Sequence, residues 1–434
     1  MIIRGTWLTR RALATFIVTS LLAVSLMGAG VPSGKPEAVG MSAERLQRIH
    51  QVVGRAMESK AISGAVTAVA RKGQVTHFEA HGVMDLESKR AMARETIFPI
   101  ASMSKPVTGV AILMLVEEGK IRLTDPVSRF VPEFKDTKVA ILKPGGRVSA
   151  PAAPGQPPRA PEIYTVPASR EITVRDLLTH TSGLASGGAG SREASRVAPR
   201  RTTESLATYI PTLGVAPLDF QPGSEWAYSA LAGIEVLGRI VEVASGLTFD
   251  QFLRQRLFEP LGMKDTAFYP AADRTPRVVT LYERTPSGLG RIDVPGWLAT
   301  RTLFSGGGGL WSTAEDYLQF AQMLVNGGEL NGRRILAPRT VERMASNHVG
   351  DLFSSSGRTG GREGMGFGLT VEVVLDAVAA SDPRSTGSFG WGGAFGTNFW
   401  VDPKEDLVGV LMVQTPGGTL RADFQNAVMQ AVVD

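Results

Sequence analysis

The stretch Phe98-Pro99-Ile100-Ala101-Ser102-Met103-Ser104-Lys105 decides how this chain is read. It is a short apolar approach followed by a Ser-x-x-Lys step. Over 102–118 the pattern predicts a helix: Val107, Val110, Ala111, Leu113, Met114 and Leu115 are apolar, and Glu117-Glu118-Gly119-Lys120 ends the run. Pro106 agrees with this, because a first-turn residue has no partner for its N–H anyway. Residues three apart share a helical face, so Lys105 is expected to hold its ammonium against the Ser102 hydroxyl. The positive end of the helix dipole lies at the same place.

Outward from that helix, the chain divides into three parts. Before it, Ser42 is placed to cap a helix to about residue 59 whose Leu46, Ile49, Val52, Val53 and Met57 share one face. A hairpin follows, 64–71 and 74–82, around a Lys72-Gly73 turn. After it, 123–300 reads as helices and long loops: a proline-rich loop over 142–170, a short helix over 171–184 that stops at glycine, a Gly/Ser/Arg loop over 185–200, and helices over 230–245 and 249–261. Strands return beyond 300. One crosses the four glycines Gly306 to Gly309, and others fall at 365–374, 387–392, 396–401 and 407–414; helices are expected at 314–326, capped by Thr313, and at 421–433. This order predicts an α/β (α+β) fold, with one antiparallel sheet built from both chain ends and flanked by helices. The expected division is an α/β domain from 31–121 and 301–434, with an inserted, mostly helical domain over 122–300.

The first thirty residues differ from the rest. Arg4, Arg10 and Arg11 precede or open an apolar run over 12–27, and Gly28-Ala29-Gly30 follows. That layout predicts a secretory signal peptide over 1–30, in preference to a membrane anchor, and Arg10-Arg11 fits a twin-arginine form. The expected location is therefore periplasmic or secreted. The 434-residue chain has a net charge of +5; without those three arginines it carries +2. So small a charge gives no case for a nucleic-acid partner. There are no cysteines, which excludes disulfides, thiolate nucleophiles and cysteine metal sites.

Several chemistries fail on spacing. No serine sits in G-x-S-x-G, so the nucleophile elbow of α/β-hydrolases is absent. The five histidines, His50, His77, His81, His180 and His348, form no H-E-x-x-H, and no metal or cofactor is expected. His77 and His81 share a strand face and read as a strand-surface pair. Gly306 to Gly309 is not followed by Gly-Lys-Ser/Thr, and a close-packed strand accounts for it better than a phosphate loop. Ser102-x-x-Lys105 is the one S-x-x-K in the chain. Two further stretches raise its weight: Tyr228-Ser229-Ala230 after Pro222-Gly223, and Trp391-Gly392-Gly393-Ala394 on a late strand.

On these stretches, together with Leu177-Leu178-Thr179-His180-Thr181-Ser182-Gly183-Leu184 and Gly308-Gly309-Leu310-Trp311-Ser312-Thr313, the sequence resembles the class C β-lactamase-like branch of the serine β-lactamase and penicillin-recognising superfamily, and within it family VIII carboxylesterases. The resemblance covers most of 41–430. It implies an α/β domain from both termini, an inserted helical domain, and a site between them. It also implies departures from the lactamases. Where they carry Tyr-x-Asn, this chain has Ala230 at the third position; where they carry Lys-Thr-Gly, it has Trp391-Gly392-Gly393. The lost amide and ammonium would have met the side-chain amide and carboxylate of a β-lactam. Trp391 favours an apolar, uncharged group instead.

The expected activity is hydrolysis of short-chain, uncharged carboxylic esters, with Ser102 as nucleophile and Lys105 and Tyr228 as the activating pair. The expected oxyanion donors are the N–H groups of Ser102 and Ala394, and Trp391, Gly392 and Gly393 border the substrate. Rival readings are a β-lactamase or D-Ala-D-Ala carboxypeptidase, an acyltransferase on the same fold, and a non-catalytic binding protein. His180 and Ser182 read as structural, setting the turn after a short helix, Ser229 as a packing residue and Trp311 as core.

Overall fold

A computed structural model describes residues 1, 30–145, 162–201, 203–299, 301–356 and 361–434. The expected signal peptide and most of the proline-rich loop lie outside the described residues. Among the described residues no helix is long and apolar enough to cross a membrane.

Helix α1 (Ala43–Glu58) starts where Ser42 accepts a hydrogen bond from the Arg45 N–H, as its spacing predicts. Strands β1 (Gly64–Arg71) and β2 (Gln74–Asp85) form the hairpin. Its turn residues Lys72 and Gly73 both have positive φ, 48° and 72°. That geometry matches the twist of the strands they join. β3 (Arg90–Ala91) adds an edge. Helix α2 (Ser104–Glu117) is buried along most of its length, which fits its almost uniformly apolar sequence.

After the middle of the chain come helix α3 (Ala232–Ser245), helix α4 (Ala314–Val325) and five strands. These are β4 (Met365–Phe367), β5 (Glu372–Val374), β6 (Phe389–Gly392), β7 (Asn398–Asp402) and β8 (Leu407–Val413); helix α5 (Leu420–Met429) follows. All eight strands make one antiparallel sheet in the order β4-β5-β6-β7-β8-β1-β2-β3. The two ends of the chain meet at its centre, where Ala65 pairs with Val413 and Arg71 with Leu407.

The centre of the sheet is buried on both sides, so β1 and β8 lack the polar alternation of a half-exposed strand. Successive residues serve opposite layers. Ala65, Val69 and Leu411 pack with α1 and α5 in one cluster, whereas Val66, Ala68 and Val410 join the larger core with α2 and α4. Trp400 on β7 is fully buried and lies across Gly409 on β8, its cross-strand partner. A Cβ on Gly409 would come within 2.2–2.5 Å of three atoms of that indole.

Four expectations are corrected. The stretch through Gly306 to Gly309 is a turn, with the N–H groups of Gly308 and Gly309 bonded to the Ser305 carbonyl; only Trp311–Ser312 is strand. The 185–200 segment contains a helix, Ala189–Val197, rather than loop alone. The strand expected over 365–374 is two strands, β4 and β5, joined by a tight turn in which Gly368 N–H bonds to the Val371 carbonyl. His77 and His81 do share a face of β2, but both are buried, 8% and 4% exposed, and are not surface residues. Besides the helices and long loops that mostly make it up, the middle of the chain holds strands. It carries two ladders, Lys138–Leu142 with Ile163–Pro167 and Leu281–Thr285 with Gly288–Ile292.

Gly409→Ala is expected to force the Trp400 indole from its place at a cost of about 1–3 kcal/mol. Urea unfolding should show a lower midpoint with an unchanged slope.

Candidate active site

The site starts from a strand anchor. Phe98–Pro99 pairs with Trp311–Ser312, and the Ile100 N–H bonds to the Leu310 carbonyl. The chain then turns at Ala101, whose φ is 45°, a conformation that costs a non-glycine residue free energy. Residues Ala101–Met103 form a single 3₁₀ turn before α2 begins at Ser104. This refines the expected helix start. Lys105 lies in the first turn of α2, three residues after Ser102, a spacing that brings the two side chains to one face. Tyr317 donates to the Met103 carbonyl at 2.7 Å, and the Leu310 N–H donates to Ser104 Oγ at 3.1 Å. The Ser102 turn is therefore fixed from α4 and from the 305–312 segment.

Lys105 is fully buried. Its Nζ donates to the carbonyl oxygens of Ala230 and Gly307, each at 2.6 Å, and to Ser102 Oγ at 3.2 Å. These three acceptors match the three protons of an ammonium, which is the condition for burying such a charge. Tyr228 donates to Ser102 Oγ at 2.7 Å, and Lys105 Nζ lies 4.8 Å from the centre of its ring. Ser102, Lys105 and Tyr228, named from sequence, thus converge on one oxygen atom.

The late strand arrives beside them. Trp391 on β6 is 7% exposed and packs against Tyr228, ring centres 5.7 Å apart, and against Phe367 at 5.3 Å. Gly393 lies so close to Ile100 that a Cβ would fall 2.4 Å from the Ile100 carbonyl oxygen, so only glycine admits this approach. Gly392 and Gly393 are half-buried; Ala394 follows, exposed, on the turn closed by the Gly393 N–H to the Thr397 carbonyl at 2.7 Å. No cation takes the place of the missing lysine through Arg421, whose guanidinium lies near Gly392, because it is bound to Glu372 at 2.5 Å.

Three further residues belong to this arrangement. Gly307 supplies a carbonyl to Lys105 from a turn where a Cβ would meet Leu231 Cα at 2.8 Å. Glu235 on α3 is fully buried; its Oε1 accepts from Arg200 at 2.7 Å and from Ser305 Oγ at 2.5 Å, and so holds the start of that turn. Burial pushes its carboxyl above the usual range, against the pull of Arg200. His180 has a left-handed backbone, φ 58°, and is 1% exposed. Its carbonyl accepts from the Ala227 N–H at 3.1 Å and its Nδ1 from the Ser229 N–H at 3.2 Å, so it grips both neighbours of Tyr228. Its ring also packs on the Tyr228 ring, centres 4.8 Å apart. Burial, with Lys105 nearby, pushes the imidazole well below its ordinary value and keeps it neutral. The glycine run and the His-Thr-Ser-Gly turn were the sequence signals for Gly307 and His180; nothing local marked Glu235. Ser229 does more than pack, since its Oγ accepts from the Gly233 N–H in the first turn of α3.

Comparison with known proteins follows the same line. The Beta-lactamase family model matches residues 49–434. The chain is 37% identical over 361 residues to Protein Rv1367c of Mycobacterium tuberculosis, covering 81% of this chain and 86% of that one. It is 31% identical over 409 residues to Esterase EstB of Burkholderia gladioli, covering 88% and 93%. Among solved structures, EstCE1, described as a hydrolase with promiscuous acyltransferase activity, aligns with a TM-score of 0.71 at 28% identity over 89% of this chain and 99% of its own. The antiparallel sheet built from both ends, the Ser102 turn beneath it and these matches lead to one assignment: the chain belongs to the β-lactamase family, within the family VIII esterase branch of the serine β-lactamase-like superfamily.

Proposed function

We propose that the protein hydrolyses uncharged carboxylic esters with short acyl chains through an acyl-enzyme on Ser102. The observation that carries this reading is the convergence of Tyr228 and Lys105 on Ser102 Oγ, at 2.7 and 3.2 Å. A serine hydroxyl needs a base to become a nucleophile. Tyr228 is the nearer group, and the Lys105 ammonium beside it stabilises a phenolate. Once the Tyr228 proton has left for solvent, Ser102 gives its own proton to the phenolate oxygen as Oγ bonds to the ester carbonyl carbon. The resulting oxyanion is held by the N–H groups of Ser102 and Ala394. Collapse breaks the bond to the alcohol oxygen, which takes the proton back from Tyr228. Water then repeats the sequence on the acyl-enzyme and releases the carboxylic acid.

The substrate class is supported by what lines the approach. Trp391 stands where the lactamases place a lysine, and Ala230 offers a methyl where they place an amide. An apolar, uncharged acyl or alcohol part suits these surfaces better than a carboxylate. The similarity to Esterase EstB agrees. Acyl transfer to an alcohol in place of water is a second outcome of the same acyl-enzyme, favoured by the likeness to EstCE1.

Short p-nitrophenyl esters should turn over faster than nitrocefin or a D-Ala-D-Ala peptide, with an acyl adduct on Ser102 in the intact mass. Faster lactam or peptide turnover would overturn the ester reading, and unchanged activity in Ser102→Ala would remove the serine mechanism altogether. Tyr228→Phe should lower kcat by about 10²- to 10⁴-fold. His180 acts in this reading as a positioning residue for Tyr228. His180→Leu should lower kcat by about 10- to 100-fold with little change in KM. His180→Asn, which keeps an acceptor near the Ser229 N–H and tolerates the left-handed backbone, should recover part of that loss; equal loss in both variants would leave His180 a packing residue only.

A further inference from the structure

Three of the five histidines gather at one place away from Ser102. His77 and His81 lie on β2 on either side of Glu79, and alternate strand residues share a face. That face turns toward α1, because Thr67, which pairs with Glu79 across the hairpin, has the parity of Ala65 and Val69 in the α1 cluster. His50 reaches the same spot from α1. The Glu79 carboxylate is the hub: its Oε2 is 3.7 Å from His81 Nε2 and 4.0 Å from His50 Nδ1, and its Oε1 is 3.9 Å from His77 Nδ1. One ligand atom from each of His50, Glu79 and His81 lies within 4.8 Å of the others.

We propose that His50, Glu79 and His81 bind a divalent transition-metal ion of the zinc type, with water completing the shell, as a tie between α1 and the sheet. Two imidazoles and one carboxylate are a donor set that such an ion accepts. Tetrahedral bonds of about 2.0–2.1 Å place ligand atoms about 3.3 Å apart. The distances to Glu79 exceed this by less than an ångström, and His50, the most exposed of the three, is free to close the gap. Thr67 fixes both rings in the ion-free protein, its Oγ1 2.8 Å from His77 Nε2 and 3.2 Å from His81 Nε2, and an ion bound through His81 Nε2 takes the place of the second of these contacts. A cleft of about 510 Å³ lined by His50, Glu79 and His81 gives an ion entry; Arg94 on its rim is the one opposing charge in that lining. The site faces the α1 layer, whereas Ser102 belongs to the opposite layer with α2, so this tie is separate from ester hydrolysis.

The test uses the full chain stripped of metal and titrated with zinc alone at neutral pH, by calorimetry and by thermal melting. One saturable equivalent and a raised melting temperature are expected, with ester turnover unchanged. His50→Ala and Glu79→Gln alter accessible side chains and should fold normally; each should weaken zinc binding by at least about tenfold and shrink the melting shift. Absence of saturable binding in the unaltered chain overturns the proposal, as does unchanged zinc affinity in both variants.

Discussion

A buried ammonium is the constraint on which this molecule's centre depends. Lys105 is fully enclosed, and such a group is tolerated only where its protons are all received. Two of its acceptors are main-chain carbonyls from distant parts of the chain, Ala230 before α3 and Gly307 before α4. The third is the Ser102 hydroxyl. One cation therefore holds three segments in register. The charge is not an ornament of the Ser102 turn but the reason the 226–231 and 305–309 backbones take their positions around it. Glu235 extends the arrangement outward, since it fixes Ser305 and is itself held by Arg200.

The aromatic side of the site is built on a different principle. Tyr228, His180, Trp226, Phe367 and Trp391 pack ring against ring, with centres 4.8–6.4 Å apart. Tilted and edge-on contacts of this kind fix orientation as well as burying area. The phenol is thus held by its neighbours' backbone through His180 and by its ring through Trp391, while its hydroxyl points at Ser102. Trp391, on β6 between β5 and β7, does more than leave its place without a charge. It makes the strand part of the wall that holds the Tyr228 ring.

What was legible in the sequence is what local chemistry dictates. The Lys72-Gly73 turn, the Ser42 and Thr313 caps and the apolar runs of β1 and β8 each carry their own reason within a few residues. The meeting of Ser102, Lys105 and Tyr228 was legible because hydroxyl, amine and phenol in those contexts have few other uses. The misreadings are long-range in origin. Gly306 to Gly309 suits a close strand or a tight turn equally, and the choice falls to the turn because Lys105 and Thr108 need its carbonyls. His77 and His81 alternate as surface residues would, yet α1 covers that face and Thr67 receives both rings. Glu235 sits in an ordinary amphipathic helix; its role exists only through Ser305, seventy residues on.

The pairing of β1 with β8 has a consequence for how the protein is made. Ala65 and Val413 are neighbours in the sheet but are nearly the first and last strand residues to leave the ribosome. Such contacts close the longest loops and form late. Ser102 is synthesised early, yet Trp391, Gly393 and the central strand that completes its surroundings come near the end. The nascent chain thus carries Ser102 through most of synthesis without the groups that border it. The surroundings of Ser102 are complete only when the sheet is, and the exposed edge of β1 is, until then, the part of the chain most in need of protection.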